Sequence, residues 1–221
     1  MCGIAGYFAA NPIESSQNLS ARLLFDISRR GPDFSDSKPV QLWNGGVFLH
    51  ARLSINDLSE SGNQPMKFMN GRFVMVFNGE IYNYLEIRTE LLSLGYNFTS
   101  NSDTEVILKA YSEWGEDCVT RFNGMWAFVI FDELKSLAFC SRDRFGIKPF
   151  YYNHNNGSWI ISSEIKPILS FFEKVEADER SIANYLVLDI CDESERTFFK
   201  NIKRLKGGHN LLVDLKDGSH T

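Results

Sequence analysis

The sequence predicts an α+β domain in which antiparallel sheets are covered by helices. Two observations lead to this class. Apolar segments of strand length are numerous, short and mostly separated by turn residues at hairpin spacing, and apolar residues at helical spacing occur in only a few segments between them. The chain has 221 residues, 43% of them hydrophobic, which is enough for one sizeable core or two small ones.

Four segments are predicted near the N-terminus. Residues 2–10 are apolar with two glycines, which indicates a buried strand. Leucine and isoleucine residues at spacing four predict an amphipathic helix over about 18–29. Residues 29–33 combine two arginines with Gly-Pro-Asp and require a loop, where adjacent arginines most often form a solvated surface. Residues 47–55 have the pattern of another strand.

The next prediction is a strongly apolar strand over Gly71–Phe77 that stops at Asn78-Gly79. Asn-Gly alone is a hairpin signal, but no alternating strand follows it. Asn83, with an acidic residue three positions later, instead predicts a helix that ends at Gly95. We therefore expect Asn78 and Gly79 to close the strand with exposed backbone amides.

A further helix is predicted from Ser102 to Gly115, because residues 102–105 have the pattern of a capping box. Two hairpins are predicted over 125–131 with 137–141 and over 149–153 with 158–162. Two short helices are predicted over 164–172 and 181–188, and a final strand over 210–215. Asp217-Gly218 predicts one more hairpin, yet only three residues follow. We expect the chain to be the front portion of a longer polypeptide, cut near a domain border.

Charge and composition argue against several functions. The net charge is -5 and no basic stripe is present, so nucleic acid and anionic membranes are poor candidates as partners. No apolar run approaches the roughly 18 residues of a membrane span, and the N-terminus lacks a secretory signal. The four cysteines are far apart, without a disulfide framework or a zinc pattern. We expect a cytoplasmic protein with reduced thiols.

Cys2 is the first candidate for a catalytic residue. Once Met1 is removed, Cys2 carries both a thiol and a free α-amine, whose ordinary pKa values of about 8.5 and about 7.7–8.0 lie near neutrality. The amine can take the proton of the thiol and later return it to a leaving group. The alternative interpretation is a small apolar residue at the start of a buried strand.

A cysteine that attacks an acyl compound also needs oxyanion donors and groups that hold the substrate. Asn78 and Gly79 could be the donors, through a side-chain amide and an accessible backbone N–H. Arg52 could clamp a carboxylate through its planar fork, and Asp103 and Glu80 are candidates for a substrate ammonium group. Taken singly, Asn78-Gly79 also fits an ordinary turn and Arg52 a surface ion pair. Asp103 also fits the acidic first turn of a helix, and Glu80 is equally ambiguous.

His50 is a rival base for Cys2, although its segment looks like a strand. The other histidines, His154, His209 and His220, fall in turns or at the terminus. No cluster has metal-ligand spacing, and no phosphate loop of the P-loop or Rossmann kind is present. We therefore expect neither a metal nor a cofactor in this domain.

Eight motifs, taken together and in order, resemble one family. They are Met-Cys-Gly-Ile-Ala-Gly at 1–6, Arg-Gly-Pro-Asp at 30–33, His-Ala-Arg-Leu-Ser-Ile at 50–55, Gln-Pro at 64–65, Asn-Gly-Glu-Ile-Tyr-Asn at 78–83, Ser-Asp-Thr-Glu-Val-Ile at 102–107, Arg-Asp-Arg-Phe-Gly-Ile-Lys-Pro at 142–149 and Ser-Glu-Ile-Lys at 163–166. The family is the glutaminase domain of the class II glutamine amidotransferases, and within it the branch of glutamine-hydrolysing asparagine synthetases.

The resemblance implies the N-terminal-nucleophile hydrolase fold, a four-layer αββα sandwich of two antiparallel sheets, over residues 1–221. It implies hydrolysis of L-glutamine to glutamate and ammonia through a thioester intermediate. The resemblance makes Cys2 the nucleophile, with its freed amine as the base, and places Asn78 and Gly79 in the oxyanion hole. It puts Arg52 on the carboxylate of glutamine, and Glu80 and Asp103 near the amino group of glutamine.

The resemblance also implies a C-terminal ATP-dependent synthetase domain after residue 221, which would use the ammonia, with aspartate as the first choice of acceptor. ATP and Mg²⁺ are expected only in that domain. A sugar acid or secondary-metabolite precursor as acceptor, a non-catalytic glutamine-sensing or interaction module, and a homodimer remain open. The sequence departs from the family at Arg29, where histidine is usual, and at Lys206–His209, where Pro-Gly-His is common.

Overall fold

The computed structural model describes residues 1–9, 16–35, 40–41, 46–191 and 194–221. The strands in these ranges are β1 (Gly3–Ala9), β2 (Phe34–Ser35), β3 (Val40–Gln41), β4 (Val47–Arg52), β5 (Met66–Phe68), β6 (Phe73–Ile81), β7 (Gly124–Asp132), β8 (Leu137–Arg142), β9 (Tyr151–Asn155), β10 (Ser158–Ser162), β11 (Lys203–Arg204) and β12 (Asn210–Asp214). The α-helices there are α1 (Ser16–Ile27), α2 (Tyr84–Ser93), α3 (Asp103–Trp114), α4 (Cys118–Arg121), α5 (Ile165–Leu169) and α6 (Glu179–Leu188).

The strands form two antiparallel sheets. The first has the order β11-β9-β10-β1-β4-β2, with β3 also paired to β4, and the second has the order β12-β8-β7-β6-β5. The first sheet packs Ala5 and Tyr7 of β1 with Leu23 of α1 and Ile168 of α5. Because side chains alternate along a strand, the neighbouring Ile4 faces the opposite side.

The second sheet buries its outer face against α2 and α3, where Phe73 and Met75 of β6 share one apolar cluster with Leu91 and Val106. The layers therefore follow the order helix, sheet, sheet, helix, as the resemblance implied.

The inner faces of the two sheets form the central core. Phe48 and Trp159 of the first sheet cluster there with Val76 and Val129 of the second. Each large apolar side chain removed from water in this way contributes about 1.5–3 kcal/mol. None of the helices in the described ranges combines the length and apolarity needed to cross a bilayer.

The alternation along the strands also decides where three polar side chains point. Cys2, Arg52 and Asn78 continue the inner-facing series of β1, β4 and β6, beyond the apolar residues of the central core. They therefore meet between the sheets at one end of the sandwich.

The prediction that the third strand stops at Asn78-Gly79 is wrong, because β6 continues to Ile81. Asn78 and Gly79 stay in the antiparallel ladder, opposite Ala127 and Trp126 of β7. The turn preference of Asn-Gly is local, and here pairing with a strand distant in sequence overrides it.

Both helices predicted in this region exist, but their caps differ from the predicted pattern. The Asn83 side chain does not cap α2; its Oδ1 accepts a hydrogen bond from the Asn123 N–H at 2.8 Å. The Ser102 hydroxyl caps α3 by accepting from the Thr104 N–H at 3.2 Å. Glu105 does not complete a capping box, since its carboxylate binds the backbone of the preceding loop.

The hairpins and short helices predicted in the second half are confirmed. Asn156 and Gly157 have φ angles of 49° and 72°, which suit the tight turn between β9 and β10. The turn at Asp217-Gly218 brings the last residues back against β12, where Leu212 and Thr221 exchange hydrogen bonds of 2.9 and 3.1 Å. The predicted strand over 2–10 is β1, although residue 10 lies outside the described ranges.

Candidate active site

A cavity of about 200 Å³ is lined by residues from both sheets and from α3. The six residues nominated from the sequence all line it. They come from the residue before β1, the end of β4, the last part of β6 and the first turn of α3. In chain order they are Cys2, Arg52, Asn78, Gly79, Glu80 and Asp103. The fold thus brings residues that are far apart in sequence into one site.

The Cys2 thiol sits against the backbone that leaves β4. Its Sγ lies 3.4 Å from the Leu53 nitrogen and 3.5 Å from the Leu53 oxygen. Burial raises the pKa of the Cys2 thiol, and Asp103 acts in the same direction. The hydrogen bond from Leu53 and the positive charges of the Met1 α-amine and Arg52 lower this pKa. Cys2 is thus a partly buried thiol whose thiolate needs nearby cations.

Arg30 fixes the backbone of Cys2 from the side. Its Nε donates to the Cys2 carbonyl oxygen at 3.0 Å, and its Nη1 donates to Glu164 Oε1 at 2.5 Å. The prediction of a solvated arginine pair therefore suits the exposed Arg29 but is wrong for Arg30.

Asn78 offers a donor to the cavity. Its side chain is 1% exposed, and its Nδ2 has no hydrogen-bond partner among the described residues. A buried amide without a partner costs about 1–3 kcal/mol. An oxygen atom placed in the cavity would supply the missing acceptor.

Gly79 offers a second donor. The N–H of Phe77 donates to Gln64 Oε1 at 2.6 Å, and that of Ile81 donates to Asp103 Oδ2 at 3.0 Å. Alternate residues of a strand direct their N–H groups to the same edge, so the Gly79 N–H lies between these two and faces the cavity.

The close approach of β7 explains why residue 79 is glycine. A Cβ atom at Gly79 would lie 2.3 Å from the Met125 oxygen, 2.5 Å from the Phe77 ring and 2.8 Å from Trp126 Cα. Any larger residue would therefore displace the strand that carries both donors.

Arg52 is buried and oriented by the loop that follows β4. Its Nη1 donates to the Ser59 oxygen and to Asn63 Oδ1, both at 2.7 Å, and its Nη2 donates to the Asp57 oxygen. These three bonds use both Nη1–H groups and one Nη2–H, which leaves the Nε–H and the other Nη2–H for further partners. The guanidinium keeps these donors for an anionic group in the cavity.

Asp103 is the buried acidic side chain of the cavity. Asp103 is 5% exposed, and its burial raises the pKa of the carboxyl group to about 6, with a further rise from the nearby Glu80. Hydrogen bonds from Ile81, Thr104 and Asn56 act in the opposite direction. At neutral pH the cavity can therefore offer a carboxylate to a cation.

His50 does not line this cavity. It is fully buried, its Nε2 lies 3.2 Å from the Phe77 oxygen, and burial lowers its pKa to about 3. The imidazole stays neutral and contacts the backbone of β6, so the structure does not support it as the base for Cys2.

Sequence reasoning missed several buried side chains of the cavity, among them Gln64 and Lys148. Gln64 joins β6 to α3, since its Nε2 donates to Thr104 Oγ1 at 3.3 Å. Both residues lie in motifs that carry the family resemblance, the Gln-Pro pair and the segment 142–149, but no local pattern assigned them a role. Within the described ranges, no group of three histidine, cysteine or acidic residues could hold a metal ion.

Comparison with known proteins gives consistent results. A family model for the glutamine amidotransferase domain matches residues 1–221. The chain is 37% identical over 225 residues to glutamine-hydrolyzing asparagine synthetase 3 of Bacillus subtilis, and 39% identical over 235 residues to putative glutamine-hydrolyzing asparagine synthetase 2 of Methanocaldococcus jannaschii. The alignments cover 99% and 97% of this chain but 35% and 44% of those proteins. The chain thus spans less than half the length of these relatives.

Among solved structures, the glutamine phosphoribosylpyrophosphate amidotransferase of Bacillus subtilis matches with a TM-score of 0.67 and 14% identity, over 100% of this chain and 49% of that chain. At this identity the likeness shows the fold. It confirms the N-terminal-nucleophile hydrolase fold that the sequence resemblance implied.

Proposed function

The chain belongs to the class II glutamine amidotransferase domain family, and from this membership we propose that it hydrolyses L-glutamine to L-glutamate and ammonia. One observation carries the proposal. The Cys2 thiol shares a cavity with the unpartnered Asn78 amide nitrogen and with the Gly79 N–H. A nucleophile and two oxyanion donors in one cavity suit attack on an acyl carbon.

In the proposed complex, the charged end of glutamine lies between Arg52 and the acidic side chains. The free donors of Arg52 bind the α-carboxylate, as a planar fork does best. Asp103 and Glu80 bind the α-ammonium group. This binding holds the side-chain amide of glutamine at Cys2.

Acylation then proceeds from the Cys2 thiol. The α-amine of Cys2, free once Met1 is removed, accepts the thiol proton, and Sγ attacks the amide carbon of glutamine. Asn78 Nδ2 and the Gly79 N–H stabilise the oxyanion. The α-ammonium group of Cys2 returns the proton to the leaving nitrogen of glutamine. Ammonia departs, and a γ-glutamyl thioester on Cys2 remains.

Deacylation uses the same groups in turn. The α-amine accepts a proton from water, whose oxygen attacks the thioester carbon at the same oxyanion donors. The carbon–sulfur bond breaks, the thiol regains its proton, and glutamate is released.

Glutamate release by the wild-type chain and by Cys2→Ala tests this proposal. We expect release from the wild type alone, and equal rates would refute the role of Cys2. A form that retains Met1, verified by intact mass, should also be inactive, since its amine belongs to another residue. Full turnover with Met1 in place would contradict the N-terminal base.

Residues 1–221 are proposed to be the glutaminase domain of a longer protein, whose C-terminal domain uses ATP and Mg²⁺ to transfer the ammonia to aspartate. The length and names of the curated relatives support this proposal. The reduced thiol that the mechanism needs suits the cytoplasm.

Formation of asparagine by the full-length protein from glutamine, aspartate and ATP is the test. Glutamate release without asparagine would favour another acceptor, and glutamine binding without glutamate release would favour a sensor.

A further inference from the structure

Lys148 is a buried lysine without an ion pair. Its side chain is on the cavity wall, and the residue is 6% exposed. None of the salt bridges within the described ranges involves it, whereas the other buried lysine there, Lys109, pairs with Glu105 at 2.5 Å. Burying a lysine side chain without an ion pair is costly unless its ammonium group has a polar environment, which suggests that the charge serves the cavity.

The backbone holds Lys148 in place. Its N–H donates to Asp143 Oδ2 at 2.9 Å, and its carbonyl oxygen accepts from Arg142 Nε at 2.6 Å. Asp143 is fully buried and also accepts from the N–H groups of Phe145 and Ile147. The loop that carries Lys148 is therefore tied to the end of β8 rather than free at the surface.

The charged groups around Cys2 and Lys148 come from every element packed there: the N-terminal amine, Arg30 after α1, Arg52 of β4, Glu80 of β6, Asp103 of α3 and Asp143 after β8. Burial raises the pKa of the Cys2 thiol and lowers the pKa of the Lys148 ammonium. The charges of Cys2, Glu80 and Asp143 oppose the change at Lys148, and Arg30 adds to it. Burial thus disfavours each charge alone, while a thiolate at Cys2 favours the charged form of Lys148.

We propose that Lys148 is a positioning residue whose ammonium group stabilises the thiolate of Cys2 across the cavity. This role rests on the proposed function, because the thiolate is the form that attacks glutamine. The thiol proton goes to the α-amine, and Lys148 gains or loses no proton. The loop of Asp143 holds the ammonium where the negative charge forms.

The test is the pH dependence of Cys2 alkylation by iodoacetamide in the full-length protein, followed by mass spectrometry of the N-terminal peptide. Lys148→Met should raise the apparent pKa of the thiol and slow alkylation at pH 7 about tenfold, which corresponds to about one pKa unit. Lys148→Arg should keep the rate within about threefold of the wild type, since the charge remains. The control is Lys166→Met, whose ammonium is exposed and pairs with Asp26.

An unchanged alkylation profile in a folded Lys148→Met protein overturns the proposal. If that variant does not fold, competitive acetylation of Lys148 with and without Cys2→Ala replaces it. Linkage is reciprocal, so loss of the thiolate should lower the pKa of Lys148 and speed its acetylation at pH 8 at least about twofold. Equal acetylation rates refute the coupling. Neither readout needs glutamine turnover, so failure of the proposed function and failure of this inference are separately visible.

Discussion

The Arg30 guanidinium donates to the Cys2 carbonyl oxygen at 3.0 Å while it pairs with Glu164 at 2.5 Å. This contact joins the segment after α1 to Cys2 and to the segment after β10. The position of Cys2 therefore depends on a residue 28 positions away, although Arg30 itself does not line the cavity.

The first prediction concerns this contact. Arg30→Gln should lower kcat for glutamate release at least about tenfold with a smaller effect on KM, because a hydrogen bond from a charged group, worth about 1.5–3 kcal/mol, is weakened. Steady-state kinetics measure the effect. Arg29→Gln is the matched control, since Arg29 is exposed, and it should behave like the wild type. Equal kinetics in both variants would show that the contact does not position Cys2.

The second prediction concerns the buried amide of Asn78. Asn78→Ala should reduce kcat about 10²–10³-fold with little change in KM, as expected when one oxyanion donor is removed. Asn83→Ala is the control from the segment that joins β6 to α2, because the Asn83 side chain binds Arg121 and Asn123 outside the cavity. The control should lose stability but keep kcat. A large KM effect with unchanged kcat for Asn78→Ala would instead assign this residue to substrate binding.

The third prediction is structural. Gly79→Ala places a methyl group 2.3 Å from a backbone oxygen of β7, so β6 and β7 must separate. Overpacking of this kind costs about 1–3 kcal/mol, and the thermal midpoint should fall by several degrees. Gly95→Asn is a comparison in which backbone strain replaces overpacking, because a Cβ there meets no atom within 4 Å while the φ of 92° disfavours residues with a side chain. A midpoint for Gly79→Ala equal to that of the wild type would show that the sheet can open without cost.

The fourth prediction is a pH dependence. Burial raises the pKa of Asp103 to about 6, so its carboxylate becomes protonated as the pH falls through about 6. Loss of that negative charge weakens binding of an ammonium group, and kcat/KM for glutamine should fall below this pH. Asp103→Asn should lower kcat/KM at pH 7.5 and abolish the fall of kcat/KM below about pH 6.

The control for this profile is Asp117→Asn, an exposed residue outside the cavity. It should leave the profile unchanged. A drop near pH 6 that persists in Asp103→Asn would assign the titration to another group.

Much of the fold followed from local patterns. Helices α2 and α3 begin near Asn83 and Ser102 and end near Gly95 and Gly115, and the hairpins of the second half lie where turn residues placed them. Local patterns misplaced the end of β6, because the partner that extends it, β7, lies more than forty residues further along the chain. They also misassigned Glu105, whose carboxylate found partners in a neighbouring loop and in Lys109.

The sequence by itself was enough to nominate six site residues, with Cys2 as the candidate nucleophile, because Cys2 follows Met1 and the motifs occur in a specific order. Only the tertiary structure decided that they meet in one cavity. Strand parity turns Cys2, Arg52 and Asn78 toward one cavity, and the open edge of β6 exposes the Gly79 N–H. Burial, which no single segment reveals, keeps His50 neutral. The fold also places Lys148 on the wall of the cavity that Cys2 lines, without a salt bridge among the described residues. Desolvation and pairing depend on residues that meet only in the folded chain.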